Sequence, residues 1–200
     1  MATLPVNNNH SNDQTTWLQM QQGQSLALEA LYDKYVNVLY NYGKGFTSRS
    51  EIVEDAIQDL ITEIWVKRDR LTVPCSVKGY LLKSFRQKLL RLLTHEKRWQ
   101  FSGDHTSFLI ADSHSATIPE ESEECTVFKS RLQKAMSCLS SKQQEAITLR
   151  YTENLNHQEI AEIMSIKPQT LYNLLHTAIQ KLSRSLKHKP YPVYSYFSLL

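Results

Sequence analysis

The 200-residue sequence predicts an all-α protein, two small helical domains joined by a flexible acidic linker. Three observations predict it. Apolar residues recur at helical spacing on both sides of a stretch, residues 103–126, that has no sustained period and is rich in Ser, Thr and acids. Formal charge also changes sign in blocks. Residues 26–66 hold three Lys/Arg against seven Asp/Glu, residues 67–100 ten against two, residues 101–126 six acids and no Lys or Arg, and residues 127–200 ten bases against four acids. Finally, the run from His157 to Leu182 has the outline of two short amphipathic helices hinged at Ser165–Lys167, a helix-turn-helix. The boundaries that follow are a polar N-terminal extension at 1–24, a first domain at 25–100, the linker at 101–126, a second domain at 127–187 and a tail at 188–200.

Taken in order, the N-terminal stretch is rich in Asn and Gln and lacks the basic start and apolar core of a secretion signal, so a cytosolic protein is expected. No apolar run is long enough to cross a bilayer, and no direct membrane insertion is expected. Leu26 to Tyr42 is amphipathic and is expected to end at Gly43 and Gly45, where positive φ is cheap. Ser50 is the expected cap of the next helix, Glu51 to Trp65, which gathers Ile52, Val53, Ala56, Ile57, Leu60, Ile61, Ile64 and Trp65 on one face. Its other face carries Glu54, Asp55, Gln58, Asp59, Thr62 and Glu63, a surface that repels DNA and suits a basic protein partner.

After the turn at Pro74, the helix from Val77 to Trp99 turns Tyr80, Leu81, Phe85, Leu89 and Leu92 to the core. Lys83, Gln87 and Arg91 recur every four residues beside Arg86, with Trp99 and Phe101 just beyond, which is the pattern phosphate neutralisation and base stacking require. In the second domain, Val127 to Leu139 is amphipathic, and Ser140 or Ser141 can cap the helix that follows. Asn154 and Asn156 break that helix before the helix-turn-helix, whose two arms are held by Ile160, Ala161, Met164, Ile166, Leu171, Leu174, Leu175 and Ala178. Pro168 suits the first turn of the second arm, where its missing N–H costs nothing.

Catalytic and metal chemistry find no residues to carry them. Cys75, Cys125 and Cys138 form no C-x-x-C pair and read as reduced thiols. His105 and His114 lack further ligands at useful spacing, and HEKRW at His95 lacks the second His of a zinc motif. No enzyme activity, metal, cofactor or small-molecule substrate is expected.

The two modules, in this order, resemble a bacterial RNA polymerase sigma factor of the extracytoplasmic-function (ECF) type, which keeps the two domains called regions 2 and 4. The resemblance rests on "EDAIQDLITEIW" and "YLLKSFRQKLLRLL" in region 2 and on "LSSKQQEAITLRYTENLNHQEIAEIMSIKPQTLYNLLHTAIQKL" in region 4. It implies binding of polymerase core, through the clamp helices of its largest catalytic subunit and the flap of the second, and of promoter DNA. Asp55, Gln58, Asp59 and Glu63 are the implied polymerase contacts. Lys83, Arg86, Gln87 and Arg91 are those at the −10 element, with residues 71–76 near a base turned out of the stack. The linker resembles the segment that passes through the polymerase cleft in such factors, and an anti-sigma protein is a further implied partner.

At the −35 element the implied contacts are Lys142, Arg150, Lys167, Gln169, Thr170, Tyr172, Asn173 and His176. This recognition helix carries fewer basic residues than the family's usually do: Tyr172, Leu174, Thr177 and Ile179 stand where a base is common, and Ser165 replaces the usual Gly of the turn. Gln169, Thr170 and Asn173 still supply donors and acceptors for base edges. Lys142, Arg150, Lys181, Arg184, Lys187 and Lys189 supply charge for the phosphates. The tail, with its Tyr, Phe and Leu, is expected to fold back on region 4 or meet an inhibitory partner. The alternative reading is a helix-turn-helix regulator that binds DNA without polymerase.

Overall fold

The computed structural model describes residues 9–99, Phe108 and 131–186. Among them are eight α-helices: α1 (Asn9–Gln21), α2 (Ser25–Lys44), α3 (Ser50–Lys67), α4 (Val77–Trp99), α5 (131–137), α6 (Ser141–Ile147), α7 (His157–Met164) and α8 (Pro168–Ser185). A 3-10 turn, Arg68–Arg70, follows α3, and a π-helical turn, Thr148–Thr152, follows α6. Phe101, His105, His114, Cys125, the rest of the expected linker apart from Phe108, the start of the Val127 helix, Lys187, Lys189 and the tail lie outside the described residues.

Helices α1 to α4 form the first set and α5 to α8 the second, and the two sets meet where α4 packs on α7. The α3 face predicted to be apolar is the face that packs: Ile52, Val53, Ala56, Ile57, Leu60 and Ile64 are buried, with Ile61 and Trp65 partly so. In α4, Leu81, Phe85 and Leu89 are buried as expected, but so are Leu82 and Leu93. Having α2 and α3 as neighbours and α7 as well, α4 buries more of its circumference than a single apolar face provides.

Several local expectations give way to tertiary contacts. The stretch expected as a polar extension contains α1, whose Trp17 and Met20 are fully buried. Ser50 is the first residue of α3 rather than its cap, and Arg49 precedes it without a capping hydrogen bond. The Ser50 hydroxyl instead takes hydrogen bonds from Tyr40 Oη at 3.0 Å and Lys44 Nζ at 3.2 Å. Gly43 and Gly45 are there for close approach, not for positive φ. Gly43 is the last buried residue of α2, and Gly45 has φ −65°. A Cβ on Gly43 would come within 2.7 Å of Val53 Cγ1, and one on Gly45 would run into the Phe108 ring.

In the second set, Ser140 caps α6 and Asn156 caps α7, each in a reciprocal capping box, with Gln143 and Glu159 respectively. Ser165 closes α7 in the left-handed conformation, φ 54° and ψ 46°, the geometry glycine usually provides. Pro168 then opens α8. Ile160, Ala161, Met164, Leu171, Leu175 and Ala178 are buried between the two arms and their neighbours, with Ile166 and Leu174 at the edge.

Candidate nucleic-acid and polymerase interface

Three surfaces carry the residues singled out by sequence. The first is the outer face of α3. Asp55, Gln58 and Asp59 are exposed side by side, because the 3.6-residue period of α3 turns Val53, Ala56, Ile57 and Leu60 inward and leaves these positions on the opposite face. Glu63, one turn on, is engaged within the chain: Lys67 on the same helix and Lys88 of α4 both bind its carboxylate. Hydrogen bonds from these two lysines hold its pKa at about 2, below the ordinary 4.5.

The second surface is α4 with the loop before it. Gln87 and Arg91 are exposed, while Lys83 and Arg86 point to the second set of helices. Lys83 Nζ lies 3.6 Å from Glu162 of α7. Arg86 is more deeply committed. Its Nε donates to Glu145 Oε1 at 2.7 Å and its Nη2 to Glu145 Oε2 at 3.4 Å, a two-pronged grip on a carboxylate that is 3% exposed. Tyr42 Oη donates to the same Oε1 at 2.7 Å. Burial first, and then the Glu145 charge, push the Tyr42 pKa well up, so the phenol stays protonated and keeps donating. Burial works against the Arg86 charge, but Glu145 and Tyr42 more than offset it and its pKa is raised. Phe46, Phe108 and Phe85 surround Tyr42, with ring centroids 5.3, 5.8 and 6.4 Å away. Nearer the start of α4, Lys78 Nζ binds Glu153 through its carboxylate at 2.7 Å and its carbonyl at 2.8 Å.

Sequence reasoning missed this buried cluster. Its only linear signal is Glu145 itself, the sole acid in residues 127–152, set beside Ala146 and Ile147.

The third surface is α8. Lys167, Gln169, Thr170, Tyr172, Asn173 and His176 are all exposed at its start and along its first half. Gln169 Nε2 donates to Asn173 Oδ1 at 3.3 Å, and Tyr172 stacks on His176 with an interplanar angle of 7°. Arg150, Tyr172 and His176 line one groove beside the π-helical turn. Arg150 is anchored there by donating to Leu155 O at 2.8 Å, and Lys142 is exposed on α6. Thr177 Oγ1 accepts from Gln143 Nε2 at 2.8 Å, which ties α8 to α6. Such a helix, polar and open at its N-terminal half, has the form that enters a major groove.

Residues 31–99 match the family model for Sigma-70 region 2, and residues 129–182 match that for Sigma-70, region 4. The chain belongs to the sigma-70 family, as a factor of the ECF type. A curated relative, the ECF RNA polymerase sigma factor SigM of Bacillus subtilis (strain 168), is 24% identical over 158 residues, 78% of this chain and 93% of the relative. Two solved structures share the fold with a TM-score of 0.58 each. One is CnrH in complex with the cytosolic domain of CnrY, 16% identical, covering 89% of this chain and 99% of that one. The other is the sigma factor RpoE in complex with the anti-sigma factor NepR from Bartonella quintana, 19% identical, covering 81% and 98%. Region 2 thus takes in most of α2 together with α3 and α4, and region 4 lies in the second set of helices. Among the described residues, no helix is long and apolar enough to cross a membrane, and no group of three His, Cys, Asp or Glu is placed to hold a metal.

Proposed function

We propose that this sigma factor docks on polymerase core through the α3 face of Asp55, Gln58 and Asp59, with Glu63 at its edge, and reads promoters with α4 and α8. The observation that carries the reading is the pairing, on one chain, of an exposed acidic face in region 2 with an open polar helix in region 4. Lys83, Arg86, Gln87 and Arg91 then meet the −10 element, and residues 71–76 receive a base turned out of its stack. Lys167, Gln169, Thr170, Tyr172, Asn173 and His176 meet the −35 element, while Lys142 and Arg150 hold its phosphates. Lys83 and Arg86 are engaged by region 4, so this assignment requires the two regions to separate on the promoter. The protein works in the bacterial cytoplasm as an initiation factor without covalent chemistry of its own, and an anti-sigma protein, such as the NepR bound to the RpoE relative, holds it silent.

Run-off transcription with bacterial core polymerase on a pooled promoter library tests the reading. Defined start sites that depend on this protein support it. Binding of specific duplex without polymerase, and no such start sites, would replace it with the polymerase-independent regulator.

A further inference from the structure

Residues 71–76 run without regular structure between the 3-10 turn and α4. Backbone carbonyls in such a segment need partners from elsewhere, and here α1 supplies them. Gln21 Nε2 donates to Arg68 O at 3.3 Å and to Leu71 O, where the loop begins. Gln14 Nε2 donates to Pro74 O at 3.1 Å and Cys75 O at 3.3 Å, where it ends. Two helical turns separate the glutamines, about 10.5 Å, and three extended residues span about 10 Å, so helix and loop run in register. Trp17 lies between them on the same face of α1, fully buried and edge-on to Tyr80 of α4 with centroids 5.1 Å apart. The stripe Gln14–Trp17–Gln21 therefore ties both ends of the loop and the first turn of α4 to one rigid helix. It grips the loop by its carbonyls and leaves Thr72, Val73 and Cys75 exposed. All three residues of the stripe precede the stretch matched by region 2, which starts at residue 31.

We propose that Gln14 and Gln21 are positioning residues that hold the 71–76 loop in the shape that captures an unstacked promoter base. The proposal rests on the reading of that loop given above. Holding the loop in advance removes the entropy cost of ordering it each time a base arrives.

The test uses the full-length protein with Gln14→Met and Gln21→Met together, which keep side-chain length and remove the donors. Hydrogen exchange of the 71–76 amides should quicken by on the order of tenfold with the exchange of α2 and α3 unchanged. On a promoter recovered from the run-off library, initial DNA binding should hold. The opening rate, followed by permanganate reactivity, should fall by on the order of tenfold, and discrimination at the unstacked base should flatten. A loss of stability alone would slow binding and opening together and leave base discrimination intact. Native exchange, or quickened exchange with native opening and discrimination, overturns the proposal. A second variant, Thr72→Gly with Val73→Gly, separates the two failures. If it changes base discrimination while the glutamine variant does not, only the clamp falls; if it is also without effect, the loop reading falls with it.

Discussion

Helices α4 and α8, both proposed to meet promoter DNA, present opposite surfaces for it. Along residues 78–88 of α4 the charge is abundant and engaged: Lys78, Lys83 and Arg86 face Glu153, Glu162 and Glu145 of region 4, and Lys88 faces Glu63. Along the first half of α8 charge is sparse, and what there is stands open beside neutral polar groups. The contrast shows that the density of cations on a helix does not measure their availability. A stripe that reads as a DNA surface in sequence can serve as an intramolecular one in the fold. The ion pairs also differ among themselves. Lys83–Glu162, long and largely exposed, contributes little, whereas Arg86–Glu145 is buried and made of two hydrogen bonds.

The sharpest way to break the comparison is Arg86→Ala. It strands the Glu145 carboxylate in the interior with Tyr42 as its remaining donor among the described residues, and should cost about 3–5 kcal/mol in equilibrium urea unfolding. Arg91→Ala, one turn further along the same helix and exposed, should stay within about 0.5 kcal/mol of native stability. It should instead lower the slope of log affinity against log salt by about 0.9 on promoter DNA. Equal stability losses would erase the distinction between engaged and open cations on α4.

On α8 the prediction is about sequence rather than stability. Gln169→Ala and Asn173→Ala should each reduce discrimination at a −35 base pair by about 1–3 kcal/mol, read by competition binding with polymerase holoenzyme. Lys167→Ala should weaken all sequences alike. A smaller effect is expected at the turn that aims this helix. Ser165→Gly relieves a left-handed conformation and should raise stability by about 0.5–1 kcal/mol, measured by thermal unfolding.

The smallest effect concerns Glu63. Its carboxyl pKa is depressed from 4.5 to about 2 by Lys67 and Lys88, so its contribution to stability is complete above about pH 4.5 and is lost as pH falls through about 2. The difference in stability between the native chain and Glu63→Gln should shrink over that window, and a difference independent of pH would remove the ion pairs as its cause. Because Glu63 and Lys67 are well exposed, the effect is small at moderate salt.

What the sequence disclosed, and what it hid, divides along local and distant causes. The α3 face, both arms of the helix-turn-helix and the Pro168 start were legible because periodicity and capping chemistry act within a few residues. Helix α1 was hidden by its amide-rich composition. Its stability comes from Trp17 and Met20 packing into a core built by residues further along the chain, as Asp13 also shows by accepting from Lys34 and Tyr35. Gly43 and Gly45 were recognised as special for the wrong reason. Steric demands of Val53 and Phe108 cannot be read from the sequence around the two glycines. The Arg86–Glu145 pair spans 59 residues, so no spacing rule could announce it. For the same reason the α4 stripe looked wholly available.

That pair has a further consequence for how tightly this factor can hold a promoter. The Arg86 guanidinium is mostly buried, and its charge and its Nε and Nη2 donors are already committed to the Glu145 carboxylate, so a phosphate gains the full grip only as that carboxylate lets go. Every phosphate that reaches Arg86 therefore competes with a rival anchored to the same chain, whose effective concentration is fixed by the fold and does not fall on dilution. The affinity of α4 for DNA is then a ratio rather than a constant of its own surface. On the proposed assignment of Arg86 to the −10 element, a partner that draws Glu145 away strengthens promoter binding, and by reciprocity a bound promoter favours that partner by the same factor.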